Sequence, residues 1–126
     1  MKQIVLLCGV LLLAVAFTQA YYDITVGGKF IFRLRAGTAT MSLQERARQV
    51  EERLIEILGQ PVRSEQITLR EVKKDYQYEI YVRGRLLITV LPEDGRAENT
   101  TVSRVANRWL EQLRRNLPPV SANPPN

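Results

Sequence analysis

Residues 23–35 read DITVGGKFIFRLR, and this stretch decides how the chain begins to fold. Two runs of β-prone residues flank Gly27 and Gly28, and a Gly-Gly pair suits a two-residue hairpin because both turn positions need a positive φ. The second run alternates with a period of two, so one face is predicted to enter the core while the other carries charge. The predicted core face consists of Phe30, Phe32 and Leu34, and the other face of Ile31, Arg33 and Arg35.

A helix is predicted after this hairpin. Ser42 is followed three residues later by Glu45, which is the pattern of a capping box. Apolar residues then recur at steps of three and four, and Gly59 with Pro61 ends the helix. These apolar residues are Leu43, Ala47, Val50, Leu54, Ile57 and Leu58.

Three further strands are predicted over residues 67–72, 76–83 and 86–91, with Gly84 in the turn of a second hairpin. The middle strand presents one face rich in tyrosine, which we expect to be the core face. The residues of this face are Tyr76, Tyr78, Ile80 and Val82.

A second helix is predicted after a polar loop over residues 92–100. Thr101 can cap this helix, and Leu117-Pro118-Pro119 is expected to end it. Its apolar positions fall on one stripe, with Trp109 at the centre of the predicted core. The stripe contains Val102, Val105, Ala106, Trp109, Leu110 and Leu113.

The order of elements is therefore hairpin, helix, strand, hairpin, helix, or ββαβββα. This order predicts an α+β fold in which two helices cover one face of a largely antiparallel sheet. We detect no repeat period in the sequence. The expected organisation is a signal peptide over residues 1–20, one domain over 21–117, and a Pro-rich disordered tail over 118–126.

The N-terminal segment indicates export. Lys2 precedes an almost wholly apolar run from Ile4 to Phe17, and Thr18-Gln19-Ala20 offers small residues for cleavage. The mature chain is expected to begin at Tyr21, in the periplasm or outside the cell. The alternative is an uncleaved anchor, and a membrane association is expected only in that case.

Composition excludes several kinds of site. The chain has no histidine, and its one cysteine, Cys8, lies within the predicted signal peptide. Zinc or copper sites built on imidazole or thiolate, and Ser/His or Cys/His nucleophiles, are therefore ruled out in the mature form. We expect no catalytic residue, no cofactor and no metal. The alternative is a small hydrolase that uses carboxylates such as Glu93 and Asp94.

A basic surface is the candidate for binding. On the predicted sheet face turned away from the helices, arginine and tyrosine side chains collect beside Ile31, Leu87 and Leu91. Guanidinium groups bind carboxylates and phosphates, so an envelope protein, an anionic envelope polymer or another copy of the chain would suit this face. The alternative is that these residues only keep the sheet soluble and protect its edges. The candidate residues are Arg33, Arg35, Arg70, Tyr81 and Arg83.

Nucleic acid is not an expected partner. Arg104, Arg108 and Arg115 lie close to one stripe of the second predicted helix and add to a net charge of +5. An exported domain rarely meets nucleic acid, however, and the sequence has neither a Gly-rich phosphate loop nor a stacking motif.

Several short motifs carry a resemblance to a known family. They are residues 24–34 of the first hairpin, Glu45-Arg46-Ala47 leading to Arg53-Leu54, Leu87-Ile88-Thr89-Val90 with Asp94 beyond it, and Ala106 followed by Trp109 and Leu113. In this order and spacing, residues 23–117 resemble the N-terminal extracytoplasmic domain of some bacterial small-conductance mechanosensitive channel proteins.

The resemblance implies a fold, a location in the cell envelope and a sensory or interaction role. It carries over no catalytic or ligand residue, because the likeness lies in core and turn positions. The longest strongly apolar run after Phe17 is Leu86 to Leu91, which is too short to span a membrane. Gating is therefore not expected, and a role as accessory to a separate channel is an alternative.

Overall fold

The structure is a computed structural model that describes residues 20–121. The predicted signal peptide up to residue 19, and residues 122–126 of the predicted tail, lie outside this range. The elements are β1 (Tyr22–Val26), β2 (Lys29–Leu34), α1 (Leu43–Ile57), a 3-10 turn (Ser64–Gln66), β3 (Ile67–Lys73), β4 (Gln77–Val82), β5 (Arg85–Val90), α2 (Pro92–Ala97) and α3 (Val102–Ser121).

The predicted α+β class and the order ββαβββα are confirmed. The strands are divided between two antiparallel sheets, a β1–β2 hairpin and a three-stranded sheet in the order β3-β4-β5. Helix α3 contacts β2 and all three strands of the second sheet, whereas α1 contacts β1 and β5. Trp109 of α3 is buried between these layers, with its ring 5.1 Å from that of Phe32.

Both predicted helix starts are confirmed. The Ser42 hydroxyl accepts a hydrogen bond from the backbone N–H of Glu45, and the Thr101 hydroxyl accepts one from the N–H of Arg104. These contacts satisfy donors that a first helical turn leaves unpaired. Every predicted apolar position of the two stripes is buried, except that Leu43 and Leu58 are half-buried against the core.

The predicted faces of β2 are wrong at two residues, because the strand contains a β-bulge. Thr25 pairs with Phe30 and Ile24 pairs with Phe32, which leaves Ile31 as an extra residue. A bulge of this kind shifts the alternation of side chains. Ile31 is therefore buried beside Phe32, whereas Phe30 is 44% exposed.

The second hairpin has a bulge at the equivalent place. Tyr81 pairs with Leu86 and Ile80 pairs with Ile88, so Leu87 is the extra residue of β5. Leu87 is fully buried, which corrects its predicted position on the exposed face. Of the three apolar residues expected beside the basic surface, Ile31 and Leu87 thus belong to the core, and Leu91 is half-buried.

The predicted tyrosine-rich core face is confirmed for Tyr78, Ile80 and Val82, which are all buried. It is wrong for Tyr76, which is 48% exposed. Strand β4 begins only at Gln77, and Tyr76 lies in the preceding turn, where its backbone N–H bonds to the carbonyl of Lys73.

Helix α3 continues past its predicted end. Pro118 and Pro119 have no N–H to donate, yet the helix runs to Ser121. The Ser121 hydroxyl accepts a hydrogen bond from the N–H of Val62 at 2.9 Å and donates to the carbonyl of Pro118 at 2.9 Å. Leu117 is also fully buried. These tertiary contacts hold the last turn, so residues 118–121 belong to the domain.

The predicted loop over residues 92–100 also differs, since it contains the short helix α2. Pro92 occupies the first turn of this helix, where its missing N–H would have no partner in any case.

Two hairpin–helix units have the same local structure, which corrects the expectation of no repeat. Unit one covers residues 22–57 and unit two covers residues 77–121. The turn residues Gly27-Gly28 and Arg83-Gly84 all have a positive φ, between 52° and 79°. In each unit the bulge follows the second residue of the turn, Gly28 or Gly84, by three residues.

The connection to the helix is repeated as well. A Cβ atom added at Gly37 would lie 2.9 Å from the backbone nitrogen of Leu43, and one added at Gly95 would lie 2.8 Å from that of Val102. Leu43 and Val102 are the first residues of α1 and α3. Each unit therefore needs a glycine where the chain passes against the start of its helix.

Each helix also contacts the hairpin of the other unit at its bulge. Arg53 of α1 donates to the carbonyl of Leu87, and Asn116 of α3 donates to the carbonyl of Ile31. Over the aligned residues 24–34 and 80–90, the identical pairs are Ile24/Ile80, Val26/Val82 and Gly28/Gly84. So few identities conceal the repeat in the sequence.

Candidate functional site

A cleft of about 330 Å³ lies between β2 and α3. We call it the arginine cleft, because three arginine side chains line it beside an exposed phenylalanine. Its lining residues are Phe30, Arg33, Arg35, Glu98, Arg108, Trp109 and Gln112.

Arg33 is held in place by its neighbours. Its guanidinium donates to both carboxylate oxygens of Asp23, at 2.6 and 3.1 Å, and its central carbon lies 3.9 Å from the centre of the Tyr21 ring. The hydrogen bonds from Arg33 lower the pKa of the Asp23 carboxyl, against the opposing effect of burial. Both partners therefore stay charged at neutral pH, and Arg33 has a fixed orientation.

Arg35 is exposed and differs from Arg33 in its partners. Its guanidinium carbon lies 5.9 Å from the Tyr21 ring, a distance at which a cation is attracted to the aromatic face. The Asp23 carboxylate attracts it electrostatically, but no carboxylate of residues 20–121 lies within ion-pair distance of it. Its hydrogen-bond donors are thus available to a ligand.

The helix side of the cleft adds a third cation. Arg108 of α3 forms an ion pair with Glu98. The three arginines carry three positive charges and the carboxylates of Asp23 and Glu98 carry two negative charges, so this region has a formal charge of +1. Because Phe30 is also exposed there, the cleft suits a partner that places a carboxylate next to an apolar side chain.

Unit two provides an internal comparison for these side chains. By the alignment of the two hairpins, Thr89 stands where unit one has Arg33, and Leu91 stands where it has Arg35. Leu91 is half-buried. The same backbone therefore accommodates small or apolar residues at both positions, so the fold alone does not require arginine there.

The structure separates the other predicted site residues from this cleft. Arg70 forms an ion pair with Glu79 at 2.6 Å, and the Tyr81 hydroxyl donates to the same carboxylate at 2.7 Å. The hydrogen bond to Glu79 raises the pKa of Tyr81. This cluster lies on β3 and β4, in the second sheet.

Arg83 forms a third group. It lies in the β4–β5 turn and donates to the carbonyl of Ile57 and to the side chain of Gln60, at the end of α1. A cation suits that place because the last carbonyls of a helix are unpaired and carry partial negative charge. The five predicted residues thus form three groups rather than one face, because the strands belong to two sheets.

A buried ion pair was not predicted from the sequence. Arg46 of α1 is 3% exposed and Asp94 of α2 is 1% exposed. Two parallel hydrogen bonds of 2.6 and 2.8 Å join them, and Asp94 also accepts the backbone N–H of Leu91. The sequence feature that could have revealed the burial of Arg46 is its position in the apolar stripe of the first helix, between Leu43 and Val50.

Two further donors of Arg46, one on each terminal nitrogen, are satisfied by backbone carbonyls. They bond to the carbonyls of Ala36 and Thr89, each at 2.8 Å, and the guanidinium carbon lies 5.8 Å from the Trp109 ring. Within residues 20–121 no buried polar side-chain atom lacks a partner. The Asp94 carboxylate thus joins α2 to α1 through Arg46.

The family described as "Domain of unknown function (DUF8459)" matches residues 23–118. The chain belongs to this family. The match includes the arginine cleft, the Arg46–Asp94 pair and both hairpin–helix units except Tyr22 and residues 119–121. No curated protein and no solved structure matches the chain.

Between residues 20 and 121, no group of three or more histidine, cysteine or carboxylate side chains is placed to hold a metal ion. Over the same range, no helix combines the length and apolar character that crossing a bilayer requires.

Proposed function

We propose that this chain is an exported, non-catalytic domain that binds a protein partner in the cell envelope through the arginine cleft. The observation that carries the proposal is Arg35, an exposed arginine without an ion-pair partner among residues 20–121, beside the exposed ring of Phe30. The composition of residues 1–20 supports export, and the resemblance to an extracytoplasmic domain of mechanosensitive channel proteins supports a location in the envelope.

The charges of the cleft favour a protein over an anionic polymer. A polymer that carries a phosphate on every unit would meet Asp23 and Glu98 as well as the arginines, and like charges repel. An exposed phenylalanine ring makes no favourable contact with a chain of phosphate groups. A protein surface with single carboxylates among apolar side chains suits both features.

The carboxylates nearest the second long helix support a non-catalytic role. A general base needs a lone pair within reach of a substrate. Asp94 is buried and its oxygens already accept hydrogen bonds from Arg46 and Leu91. Glu93 is partly exposed and lies 3.7 Å from Arg96.

The experiment is photo-crosslinking in cells. A benzophenone amino acid replaces Phe30, and the same replacement at Val72 is the control because Val72 is 45% exposed on β3. We expect a specific protein adduct from position 30 that disappears when Arg35→Glu is added. The intact mass of the same protein then reports whether it begins at Tyr21.

Two results would contradict the proposal. One is an identical set of adducts from positions 30 and 72, which would mean that the cleft has no partner of its own. The other is an adduct from position 30 that Arg35→Glu leaves unchanged. Recovery of the protein with Met1 in place would argue against export as a free domain.

A further inference from the structure

We propose that the partner in the arginine cleft is a second copy of this chain, which inserts the outer surface of α1 around Ile55. The inference rests on the proposed function and names the partner of the same cleft. It arises from a second surface of the molecule, which presents an exposed isoleucine beside two exposed glutamates.

The second surface is defined by Glu52, Ile55 and Glu56, and we call it the Ile55 patch. Ile55 is 76% exposed, more than any other large hydrophobic side chain of residues 20–121. Burial of such a side chain is favourable, and no part of the chain between residues 20 and 121 covers it. The core stripe of α1 does not need Ile55, because Leu54 and Ile57 are already buried.

The carboxylates of the patch are only weakly paired. Glu52 lies 3.9 Å from Arg48, and Glu56 lies 3.8 Å from Arg85, with both glutamate side chains about 70% exposed. Ion pairs that are so exposed and so long contribute little. The glutamates can therefore exchange these contacts for a better-placed cation.

The two surfaces complement each other in charge and in shape. The cleft is concave and presents Phe30 among arginines, with a formal charge of +1. The patch is the convex side of a helix and presents an isoleucine between two glutamates. Counted with Arg48 and Arg85, it is formally neutral, so the complementarity lies in the two glutamates, whose long contacts can be exchanged for the cleft arginines. Docking would cover both exposed apolar side chains and would give Arg35 a carboxylate partner.

The contact would be heterologous, because the cleft and the patch share no residue. Each copy then offers one cleft and one patch, so association continues head to tail unless the ring closes. This arrangement permits a strict test, since one chain can lose its cleft while another loses its patch.

The test is sedimentation of the mature chain at increasing concentration. We expect concentration-dependent association of the unmodified protein, weakened by salt because the contact pairs charges. Arg35→Glu, which damages only the cleft, and Glu52→Arg with Glu56→Arg, which damages only the patch, should each weaken association at least about fivefold. Lys73→Glu, a reversal of charge on β3 away from both surfaces, should leave it unchanged.

The mixture of the two damaged chains decides the matter. The Arg35→Glu chain keeps its patch and the Glu52→Arg/Glu56→Arg chain keeps its cleft, so together they should form a 1:1 dimer that grows no further. Circular dichroism of each variant checks that it is folded.

Absence of association in the unmodified protein, or failure of the mixture to form that dimer when the unmodified protein does associate, overturns the proposal. The proposed function is tested separately. A crosslink from position 30 to a different protein, without self-association, would keep the binding role of the cleft and reject the second copy as its partner.

Discussion

Arg46 lies on the apolar side of α1, where a charge is unfavourable unless its donors are all satisfied. Its partners come from three separate parts of the chain: the carbonyl of Ala36 after β2, the carbonyl of Thr89 in β5, and the carboxylate of Asp94 in α2. One side chain therefore fixes how α1, the end of the first hairpin and the segment after the second hairpin meet.

Replacement of Arg46 by methionine should destabilise the protein by about 3–5 kcal/mol, because it leaves the Asp94 carboxylate buried without its counter-ion. The measurement is the free energy of unfolding in urea. The double variant Arg46→Met/Asp94→Leu should recover much of the loss, since it removes both charges. Arg48→Met is the control, because Arg48 is exposed and its contact with Glu52 is long.

The expected loss for that control is below about 1 kcal/mol. A double variant that is as unstable as Arg46→Met alone would contradict this explanation. It would show that the shape of the pair, or its bonds to Ala36 and Thr89, matters more than the balance of charge.

At the scale of elements, local sequence predicted most of the fold. The Gly-Gly turn, the Ser42 and Thr101 caps and the two apolar stripes each depend on neighbouring residues, and each was predicted correctly. The faces of β2 and β5 were not. Residues 30–32 and 86–88 are runs of consecutive apolar side chains, so alternation alone cannot decide which of them face the core.

The end of α3 illustrates the same limit. Pro118 and Pro119 locally favour a helix end, but the contacts of Ser121 with Val62 override them. Val62 is 59 residues away in the chain, and such a partner leaves no local signal.

The candidate site was predicted in part. Arg33 and Arg35 were recognised as an exposed basic pair, but Arg108 joins them from another element and was assigned to a separate stripe. Asp94 was considered as a possible catalytic acid and as part of a motif that carries the family resemblance, but not as the partner of Arg46. Its pairing with Arg46 spans 48 residues, so nothing in the local sequence of either residue points to the other.

The two connecting glycines provide a prediction at this scale. Gly37→Ala and Gly95→Ala should each destabilise the protein by about 1–3 kcal/mol, because the new methyl group would overlap the backbone at the start of α1 or α3. Thermal unfolding of the two variants measures the loss. Gly59→Ala is the matched control, since the nearest atom to its added Cβ lies 3.8 Å away.

Similar melting temperatures for Gly37→Ala and Gly95→Ala, both well below that of Gly59→Ala, would agree with equivalent roles in the two units. A Gly95 variant as stable as the Gly59 control would mean that the loop beside α3 can move aside, and would remove the equivalence.

At the scale of the whole molecule, the two units share a frame but differ at the surface. Their turns, bulges and connecting glycines correspond, and each helix contacts the other unit's bulge. The arginine cleft occurs only beside the hairpin of unit one, where unit two has Thr89 and Leu91 instead. The common features are therefore explained by folding, and Arg33 is explained by its pair with Asp23, whereas Arg35 has no ion pair within residues 20–121.

The exchanged helix contacts provide the last prediction. Arg53→Ala and Asn116→Ala each remove the donor to a bulge carbonyl, so each should destabilise the protein by about 1–2 kcal/mol. The two contacts share no residue, and the loss in the double variant should equal the sum of the single losses within about 0.5 kcal/mol. Urea unfolding measures all three variants.

Arg46→Met and Asp94→Leu provide the contrast. The loss of stability in their double variant should differ from the sum of the two single losses, because those two residues form one pair. Additivity in that buried pair, or a large coupling between Arg53 and Asn116, would contradict a molecule built from two units that are tied together at separate points.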